Sequence, residues 1–441
     1  MKISKYNIEQ EIENEQILIY NTLTTSLVIL EKAEFDSIFN KQNFAHEEAG
    51  ELLEMGFLVD DEFDELNYLR ELRENVVRAN TTIADVMLAP TMDCNARCYY
   101  CFEDNCHHDK MDKETADAVV RYLIQYWNGD LLNITWFGGE PLMAPDIIDY
   151  ITEQLTERKI KLISKITTNG LLLTKEVALK ALNRWHTTKI QISMDAYGEE
   201  YNRIKNYVDL SLENPFEVVI ENLHHALVVG LKVKVRINFD PDKKEIAIDL
   251  MNRLQTRFGE YDNFSAYFAP IDAASNIVRP IADEFTDRKT HPYMELINVS
   301  KDYGYFKGNN RGETENFIYD EKGLLNSLKL YPSPTNCYAS SPCVFAIDSR
   351  GDLYKCHRVL GKGDRYSSGN VKTGVIKNEI FQFFANTDYS LIECEDCKLL
   401  PICQGGCKIN AYLYKDEHAC VPTKAIIKDL ILDYARELNY L

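Results

Sequence analysis

The chain has 441 residues, of which 45% are hydrophobic and 27% charged, a composition typical of a globular protein with two or three domains. Its formal net charge is -20, and residues 1–80 alone carry 18 acidic and 7 basic side chains. We therefore expect no nucleic-acid partner, because phosphate binding needs clustered Lys and Arg. A basic peptide is the better candidate for the acidic end, unless the charge serves only solubility.

No targeting or membrane-spanning segment is expected. Residues 1–16 are rich in Glu, unlike a signal peptide, and no run approaches the roughly 18 to 20 apolar residues that cross a bilayer. We therefore expect a cytoplasmic protein with no membrane partner. In that reducing compartment, twelve cysteines favour metal or cluster ligation over disulfides.

Residues 1–80 are predicted to form a small winged-helix-like domain. The pattern indicates one or two strands, two helices, a strand and a charged helical connector, in that order: residues 17–30, 32–39, 47–55, 57–59 and 60–78. Gly56 follows the second helix as a C-cap residue.

Residues 81–305 alternate β-rich apolar runs with helical patterns. Six runs are predicted strands: residues 83–89, 133–137, 162–167, 189–194, 232–239 and 264–271. Helices are predicted between them, among others at residues 113–127, 145–158, 175–185 and 242–258. Because parallel strands need helical crossovers, we predict an α/β fold, a partial (β/α)6 TIM-like barrel with its site at the carboxyl ends of the strands.

Residues 306–441 are predicted to be a loop-rich C-terminal iron-sulfur domain. Eight of the twelve cysteines lie between Cys337 and Cys420. Eight is two sets of four, which suits either two iron-sulfur clusters or a pair of four-cysteine zinc sites.

A C-x3-C-x2-C motif directly follows the first predicted strand of the barrel. It contains Cys94, Cys98 and Cys101. Three thiolates on one tight loop can ligate three irons of a 4Fe-4S cluster and leave the fourth iron open to a small molecule. Taken alone, the spacing also permits a partial zinc site. Cys106 has no partner in the motif and is expected to be a free thiol.

Three further motifs give the chain its resemblance to radical SAM enzymes, in which S-adenosylmethionine (SAM) binds the open iron. GGEP begins at Gly138, TNG at Thr168 and SMD at Ser193, each at the carboxyl end of a successive predicted strand. The resemblance implies that GGEP receives the SAM ammonium, that Tyr100 packs near the adenine, that Ser193 reaches the methionine carboxylate or the ribose, and that Arg203 or Arg236 pairs with the carboxylate. The implied SAM-binding set is Tyr100, Gly138, Gly139, Glu140, Asn169, Ser193, Asp195, Arg203 and Arg236.

The C-terminal cysteine pattern resembles the SPASM extension of radical SAM enzymes, which holds two auxiliary 4Fe-4S clusters. The resemblance implies a first auxiliary cluster on Cys337, Cys343, Cys356 and Cys407. It implies a second on Cys394, Cys397, Cys403 and Cys420. The expected cofactors are therefore SAM and three 4Fe-4S clusters, with zinc as the alternative for the C-terminal sites.

The N-terminal pattern resembles a RiPP recognition element, in which a leader peptide adds a strand to an exposed sheet edge. Together the resemblances imply a peptide maturase of the thioether-forming sactipeptide or ranthipeptide type. Its expected partners are a ribosomally made precursor peptide, with the leader bound by residues 1–80, and an electron donor such as flavodoxin or ferredoxin. A 5'-deoxyadenosyl radical would open the route to Cys thioether crosslinks.

Other activities remain open. Enzymes of this class that oxidise sulfatases carry an Asp just after the cysteine equivalent to Cys356, whereas this chain has His357, which makes formylglycine formation less favoured. His357 is a candidate catalytic base, although a solvated or hydrogen-bonded His is the simpler interpretation. Carbon-carbon crosslinking and epimerisation are alternatives, and a zinc-stabilised, non-catalytic peptide-binding adaptor is an alternative of another class.

Overall fold

The structure is a computed structural model. It describes residues 1–79, 83, 85–103, 106–127, 129–209, 211–240, 243–271, 299, 330, 332, 337–385, 394–413 and 423–441. The expected domain boundaries at residues 80/81 and 305/306, and Cys420, lie outside the described residues.

The N-terminal module combines two small antiparallel sheets with short helices. The strands are β1 (Lys2–Ile3), β2 (Asn7–Ile12), β3 (Gln16–Asn21), β4 (Leu27–Glu31) and β5 (Leu58–Val59). The helices are α1 (Lys32–Phe35), which continues as a π-helix (Asp36–Asn40), α2 (Ala49–Glu54) and α3 (Glu65–Ala79). β1 pairs with β5, and β2, β3 and β4 form a meander with β4 at one edge. β2 was not predicted, because its sequence NIEQEI offers too few apolar residues to stand out.

The predicted partial barrel is confirmed. Its strands are β6 (Asp85–Leu88), β7 (Leu132–Trp136), β8 (Leu162–Thr168), β9 (Thr187–Met194), β10 (Lys232–Phe239) and β11 (Phe264–Pro270), in spatial order from β6 to β11 and all parallel. Its helices are α4 (Lys113–Tyr126), α5 (Pro145–Glu157), α6 (Lys175–Asn183), α7 (Glu199–Lys205), α8 (Pro215–Val228) and α9 (Lys244–Phe258). The predicted strand bounds agree with the observed ones to within two residues.

Alternation along the barrel strands separates two faces. Residues such as Ile134, Ile166, Ile190 and Val235 are almost fully buried and pack with apolar residues of the helices. The intervening residues are mostly half-buried and lie on the other face, away from the helices. Among the described residues, helices pack on one side of the barrel strands, and we call the opposite side, which leads to the motifs at the carboxyl ends of the strands, the uncovered face.

The C-terminal region extends the barrel sheet, which sequence patterns did not predict. The strands are β12 (Phe345–Ile347), β13 (Asp352–Tyr354), β14 (Ser367–Asn370) and β15 (Gly374–Val375). β12 pairs in parallel with β6, and β13 to β15 continue the sheet antiparallel. The helices are α10 (Glu379–Ala385), α11 (Leu400–Cys403), α12 (Lys408–Leu413) and α13 (Thr423–Glu437). The junction fixes the cysteine-rich region beside the first barrel strand.

The N-terminal module docks on the C-terminal region. Tyr20 of β3 packs edge-on against Tyr434 of α13, with ring centroids 6.0 Å apart. Arg70 of α3 pairs with Glu395 at 2.5 Å, and the hydroxyl of Thr22 donates to the carbonyl of Lys398 at 2.5 Å. Within the described part of the chain, no helix has both the length and the apolar content needed to span a membrane.

Candidate active site

The C-x3-C-x2-C loop begins six residues after the end of β6. Its cysteines, Cys94, Cys98 and Cys101, are half-buried and lie close enough for their thiolates to repel one another. Burial raises the pKa of Cys94 to about 12 and that of Cys101 to about 11, and it also raises the pKa of Cys98. Such thiols keep their protons unless a cation replaces them.

This donor set fits an iron-sulfur cluster, because three desolvated thiols from one loop share a space at the barrel mouth. Among the described residues, no group of three or more His, Cys, Asp or Glu side chains converges on a single metal-ion position. The eleven described cysteines are all free of disulfides. Cys106 is one of them, and its buried thiol donates to the carbonyl of Leu360 at 3.2 Å.

Two glycines bring the loop after β7 against the cysteine loop. Gly138 has a φ of +103°, and a Cβ there would lie 2.4 Å from the carbonyl oxygen of Thr91. A Cβ on Gly139 would lie 2.2 Å from the carbonyl oxygen of Asp93. The amide of Glu140 donates to that same Asp93 oxygen at 2.8 Å. Only glycine permits this approach, so the motif fixes the backbone that precedes Cys94.

Glu140 ties adjacent strand ends together. Its fully buried carboxylate accepts hydrogen bonds from Leu142 N at 3.1 Å, Thr168 Oγ1 at 2.7 Å and Asn169 N at 2.8 Å. Burial raises its pKa, although these donors oppose the shift. The side-chain amide of Asn169 donates in turn to Asn95 Oδ1 at 2.6 Å. Glu140 therefore positions the third strand end against the cysteine loop.

A buried polar group closes the other side of the mouth. Lys205 Nζ lies 3.0 Å from Asp195 Oδ2 and donates to the hydroxyl of Tyr100 at 3.1 Å. Asn238 Nδ2 donates to that hydroxyl at 2.9 Å and to Asp195 Oδ1 at 2.7 Å. Burial would lower the pKa of Lys205, but Asp195, Tyr100 and the thiol of Cys98 outweigh it and raise that pKa well above its ordinary value. A fixed positive charge thus lies beside the cysteine loop.

Lys205 is the site residue that the motifs missed. A signal existed in the sequence: Tyr201, Ile204 and Lys205 share the buried face of α7 at helical spacing. A lysine on an apolar helix face calls for a buried partner, and here that partner is Asp195.

The remaining candidate SAM contacts divide in two. Ser193 and Arg236 are neighbours in the β9–β10 register, on the uncovered face of the sheet. Arg203, by contrast, points to solvent, with its side chain 68% exposed, and pairs with Glu200 at 2.6 Å. The structure therefore brings Ser193 and Arg236 to the mouth and leaves Arg203 outside it.

Three of the four cysteines expected to hold the first auxiliary cluster lie together. Cys337, Cys356 and Cys407 interact electrostatically, and burial raises the pKa of Cys356 to about 12. Cys343 packs against the barrel core, and its thiol and that of Cys337 both interact electrostatically with the ammonium of Lys355.

Two lysines are buried beside this group. Lys355 donates to the carbonyl oxygens of Ser341 and Val344, the latter at 2.9 Å, and Lys408 donates to that of Phe384 at 2.6 Å. Burial lowers the pKa of Lys355 to about 7 and that of Lys408 to about 6. Thiolate ligands nearby would favour their charged forms.

Three of the four cysteines expected to hold the second auxiliary cluster, Cys394, Cys397 and Cys403, lie around one short helix. The amide of Cys397 donates to the carbonyl of Cys394 at 3.1 Å, and α11 then ends at Cys403. Cys397 and Cys403 both pack against the cluster of apolar residues that includes Leu399. The fourth expected ligand, Cys420, is outside the described residues.

His357 belongs to a group of rings between the cysteine loop and the C-terminal region. Its ring centroid lies 5.4 Å from that of Phe137, 6.0 Å from that of Phe102 and 6.0 Å from that of Tyr338. The backbone amide of His357 donates to the hydroxyl of Tyr338 at 2.8 Å, and that hydroxyl lies 2.8 Å from Nδ1 of His357. The hydroxyl thus accepts from this amide and lies within hydrogen-bonding distance of Nδ1, which ties the ring to its own backbone whichever ring nitrogen carries the proton.

Comparison with known proteins agrees with this geometry. The model of the radical SAM superfamily matches residues 88–253. The radical SAM cyclopropyl synthase TigE of Paramaledivibacter caminithermalis is 23% identical, over 96% of this chain and 90% of that protein. Native anSMEcpe with bound AdoMet and Kp18Cys peptide is similar in fold, with a TM-score of 0.59 and 20% identity over 81% of this chain and 98% of that one. Streptococcus suis SuiB bound to precursor peptide SuiA gives a TM-score of 0.50 and 17% identity over 96% and 99% of the two chains.

Proposed function

Since this chain is a radical SAM enzyme, with residues 88–253 as its radical SAM domain, we propose that it forms Cys thioether crosslinks in a ribosomally made precursor peptide. A peptide substrate is supported by the relatives: SuiB has been solved with a precursor peptide and anSMEcpe with the Kp18Cys peptide. The thioether bond is a separate part of the proposal and has its own support. It rests on the cysteine pattern of the C-terminal region and on His357, which directly follows Cys356 where the sulfatase-oxidising enzymes carry Asp.

The observation that carries the proposal is the convergence at the barrel mouth. The thiols of Cys94, Cys98 and Cys101 share one loop, and Glu140 and Lys205 fix the strand ends and the helix on either side of it. A 4Fe-4S cluster held by these three thiolates, together with SAM, would supply a 5'-deoxyadenosyl radical for hydrogen abstraction from a carbon of the peptide.

The chain's own residues hold and shield this reaction. The three cysteine thiolates would ligate the irons, and Gly138 and Gly139 let the backbone approach them. Lys205, held by Asp195, supplies a fixed positive charge where an anionic group of SAM could lie. Asn238 orients the Tyr100 hydroxyl, and with it the face of the ring.

The N-terminal module is proposed to hold the leader of the precursor. β4 is an edge strand of the meander, as strand addition requires. A separate apolar cavity of about 580 Å³ lies between this module and the C-terminal region, lined by Leu53, Phe63 and Leu72 among others. The acidic charge of residues 1–80 favours a basic leader.

Carbon-carbon bond formation is the second candidate, favoured by one observation. TigE, similar over 96% of this chain, is a cyclopropyl synthase. Thioether formation would remove a hydrogen atom from a carbon, taken by the deoxyadenosyl radical, and a proton and an electron from a thiol, with the electron passing to an iron-sulfur cluster and the proton to solvent, whereas ring closure between carbons leaves every thiol intact. The two functions can therefore be separated by counting thiols.

The test uses anaerobically purified, iron-loaded enzyme, SAM, a reductant and the product of a short Cys-containing reading frame beside the gene. We expect a peptide lighter by about two mass units per crosslink, with one alkylatable thiol lost for each. The same mass loss with all thiols alkylatable would establish carbon-carbon coupling instead. An unchanged mass would point to epimerisation, and an aldehyde that reacts with hydrazide to formylglycine formation. Failure to form 5'-deoxyadenosine would contradict the radical mechanism itself.

A further inference from the structure

The uncovered face of the barrel sheet carries a set of cations. The basic residues of its three adjacent strands β8, β9 and β10 are Lys165 on β8, Lys189 on β9, and Lys232, Lys234 and Arg236 on β10. All are half-buried or exposed, while the residues that alternate with them pack against the helices. β8, β9 and β10 contain no Asp or Glu, and Asp85, at the start of β6, is the acidic residue of the remaining barrel strands.

These cations are neighbours in the strand register. Lys165 is the cross-strand neighbour of Lys189, and Lys189 is that of Lys232. The three lysines therefore form one row across three adjacent strands. Adjacent strands lie about 4.8 Å apart, and like charges directly opposite one another destabilise a sheet. Such a row favours the presence of an anion above it.

The row continues toward the barrel mouth. Lys234 is paired with Gln191, and Arg236 is paired with Ser193. The ammonium of Lys234 lies 4.7 Å from the ring centroid of Tyr267, whose hydroxyl donates to Gln191 Oε1 at 3.1 Å, so these side chains share the uncovered face.

From the row of Lys189 to that of Arg236 is a rise of four residues, about 13 Å. Two residues beyond Arg236 on the same strand is Asn238, which contacts Tyr100 and Asp195 at the mouth. The cations thus form a continuous track that leads to the cysteine loop. An extended peptide chain has the length and the periodicity to follow it.

We propose that this track binds an acidic segment of the substrate peptide and delivers it to the barrel mouth. The inference rests on the proposed peptide substrate. It specifies in addition that the segment of the peptide that enters the barrel contains Asp or Glu residues. It also reverses the preference expected of the acidic N-terminal module, so the full precursor would be basic where the module binds it and acidic where it is modified. Lys189, Lys234 and Arg236 already have partners within the chain, and peptide carboxylates would join or replace them.

The net charge of the protein makes the test sharp. At -20, the enzyme as a whole repels acidic peptides, so a preference for them must come from a local site. The probes are two fluorescein-labelled ten-residue peptides, one of alternating Gly and Glu and one of alternating Gly and Gln. Binding to the anaerobically purified holoenzyme is followed by fluorescence anisotropy at low salt and at 0.5 M salt. At 0.5 M salt the Debye length is roughly 4 Å, so electrostatic attraction is strongly screened.

We expect the Glu peptide to bind about tenfold more tightly than the Gln peptide at low salt, and the difference to shrink at high salt. The double variant Lys165→Gln/Lys189→Gln should reduce the preference to about threefold or less. The matched double variant Lys175→Gln/Lys377→Gln, which removes two exposed lysines elsewhere, should retain it.

Equal binding of the two peptides by the wild-type enzyme would overturn the proposal, and so would equal loss of preference in both double variants. Reductive SAM cleavage without peptide, measured as 5'-deoxyadenosine, is run on every protein. Its absence in the wild-type enzyme would count against the proposed function, whereas normal cleavage without a peptide preference would count against the acidic track alone.

Discussion

The ammonium of Lys205 lies 3.0 Å from a carboxylate oxygen of Asp195, and both side chains are only 3% exposed. The lysine ends α7, whereas the aspartate follows β9, so the pair joins a helix to the mouth of the barrel. Removing one partner from a buried pair leaves an uncompensated charge, which costs about 3–5 kcal/mol of stability.

We expect Lys205→Met to destabilise the protein by an amount in that range and to lower SAM cleavage strongly. The double variant Lys205→Met/Asp195→Asn should be more stable than the single one, because no unpaired charge is left buried. Urea unfolding of both proteins measures the difference. A double variant less stable than Lys205→Met would show that the pair is not coupled as described.

Replacing Cys94, Cys98 and Cys101 together with Ala should abolish 5'-deoxyadenosine formation and leave about eight irons per chain, the content of the two auxiliary clusters that the C-terminal cysteine pattern implies. Cys106→Ala is the matched control, because this buried thiol contacts a carbonyl oxygen and stands apart from the motif. It should retain about twelve irons and full cleavage. Wild-type cleavage by the triple variant would refute the assignment of the motif.

Leader binding by strand addition can be tested at Ile29 of β4. Lys32 N donates to Glu15 O, which marks these two residues as a hydrogen-bonded pair at the end of the β3–β4 ladder. Hydrogen-bonded and non-hydrogen-bonded pairs alternate along an antiparallel ladder, and Ile29 is three residues from Lys32. The N–H of Ile29 therefore points away from β3, toward the edge of the sheet. Ile29→Pro should therefore weaken precursor binding, because it removes an N–H from the open edge without removing one from the existing ladder. Ile29→Ala shortens the side chain but keeps the N–H, and it should bind nearly normally. Equal effects of the two changes would argue against strand addition.

His357→Phe should retain most of the activity and His357→Ala less of it, because the ring packs against Phe137 and Phe102 while its Nδ1 is occupied by the hydroxyl of Tyr338. A general base is not required if the thiol proton is already acidic enough to leave. The rates of peptide modification are compared at saturating SAM. A much slower His357→Phe enzyme, with normal SAM cleavage, would identify His357 as a proton acceptor.

The contribution of Glu103 to stability should fall as the pH rises from about 5 to about 8. Burial raises the pKa of its carboxyl to about 8, and one of its oxygens is buried without a hydrogen-bond partner among the described residues. The folded protein then holds a proton that the unfolded chain releases, so this contribution is full below pH 4.5 and is lost toward pH 8, by at most about 1.4 kcal/mol per pH unit. Urea unfolding should show that Glu103→Gln removes this pH-dependent contribution, whereas Glu153→Gln, an exposed control, should leave it unchanged. Parallel profiles for wild type and Glu103→Gln would contradict the raised pKa.

The barrel could be predicted from sequence because each strand is specified locally. The apolar residues of Lys232–Phe239 alternate over eight positions, and the predicted bounds of this strand are the observed ones. The spacing of Cys94, Cys98 and Cys101 is likewise a local property, since three ligands on one loop need no distant partner to be recognised. Gly138 and Gly139 also indicate that another backbone segment lies close to them, but the sequence does not say which segment.

Other features depend on contacts between segments far apart in sequence. β12 has only three residues, too short for a periodic signal, yet its pairing with β6 decides where the C-terminal cysteines lie. Lys205, the last residue of α7, contacts Asp195, which follows β9. The rings of His357 and Phe137 are in contact although the two residues are 220 positions apart in the sequence. Local sequence determined the strands, the ligand loop and the family resemblance, because backbone periodicity and ligand spacing act over a few residues. The tertiary structure alone decided which charges are buried together and which rings face the site, because burial and Coulomb energies depend on distance in space.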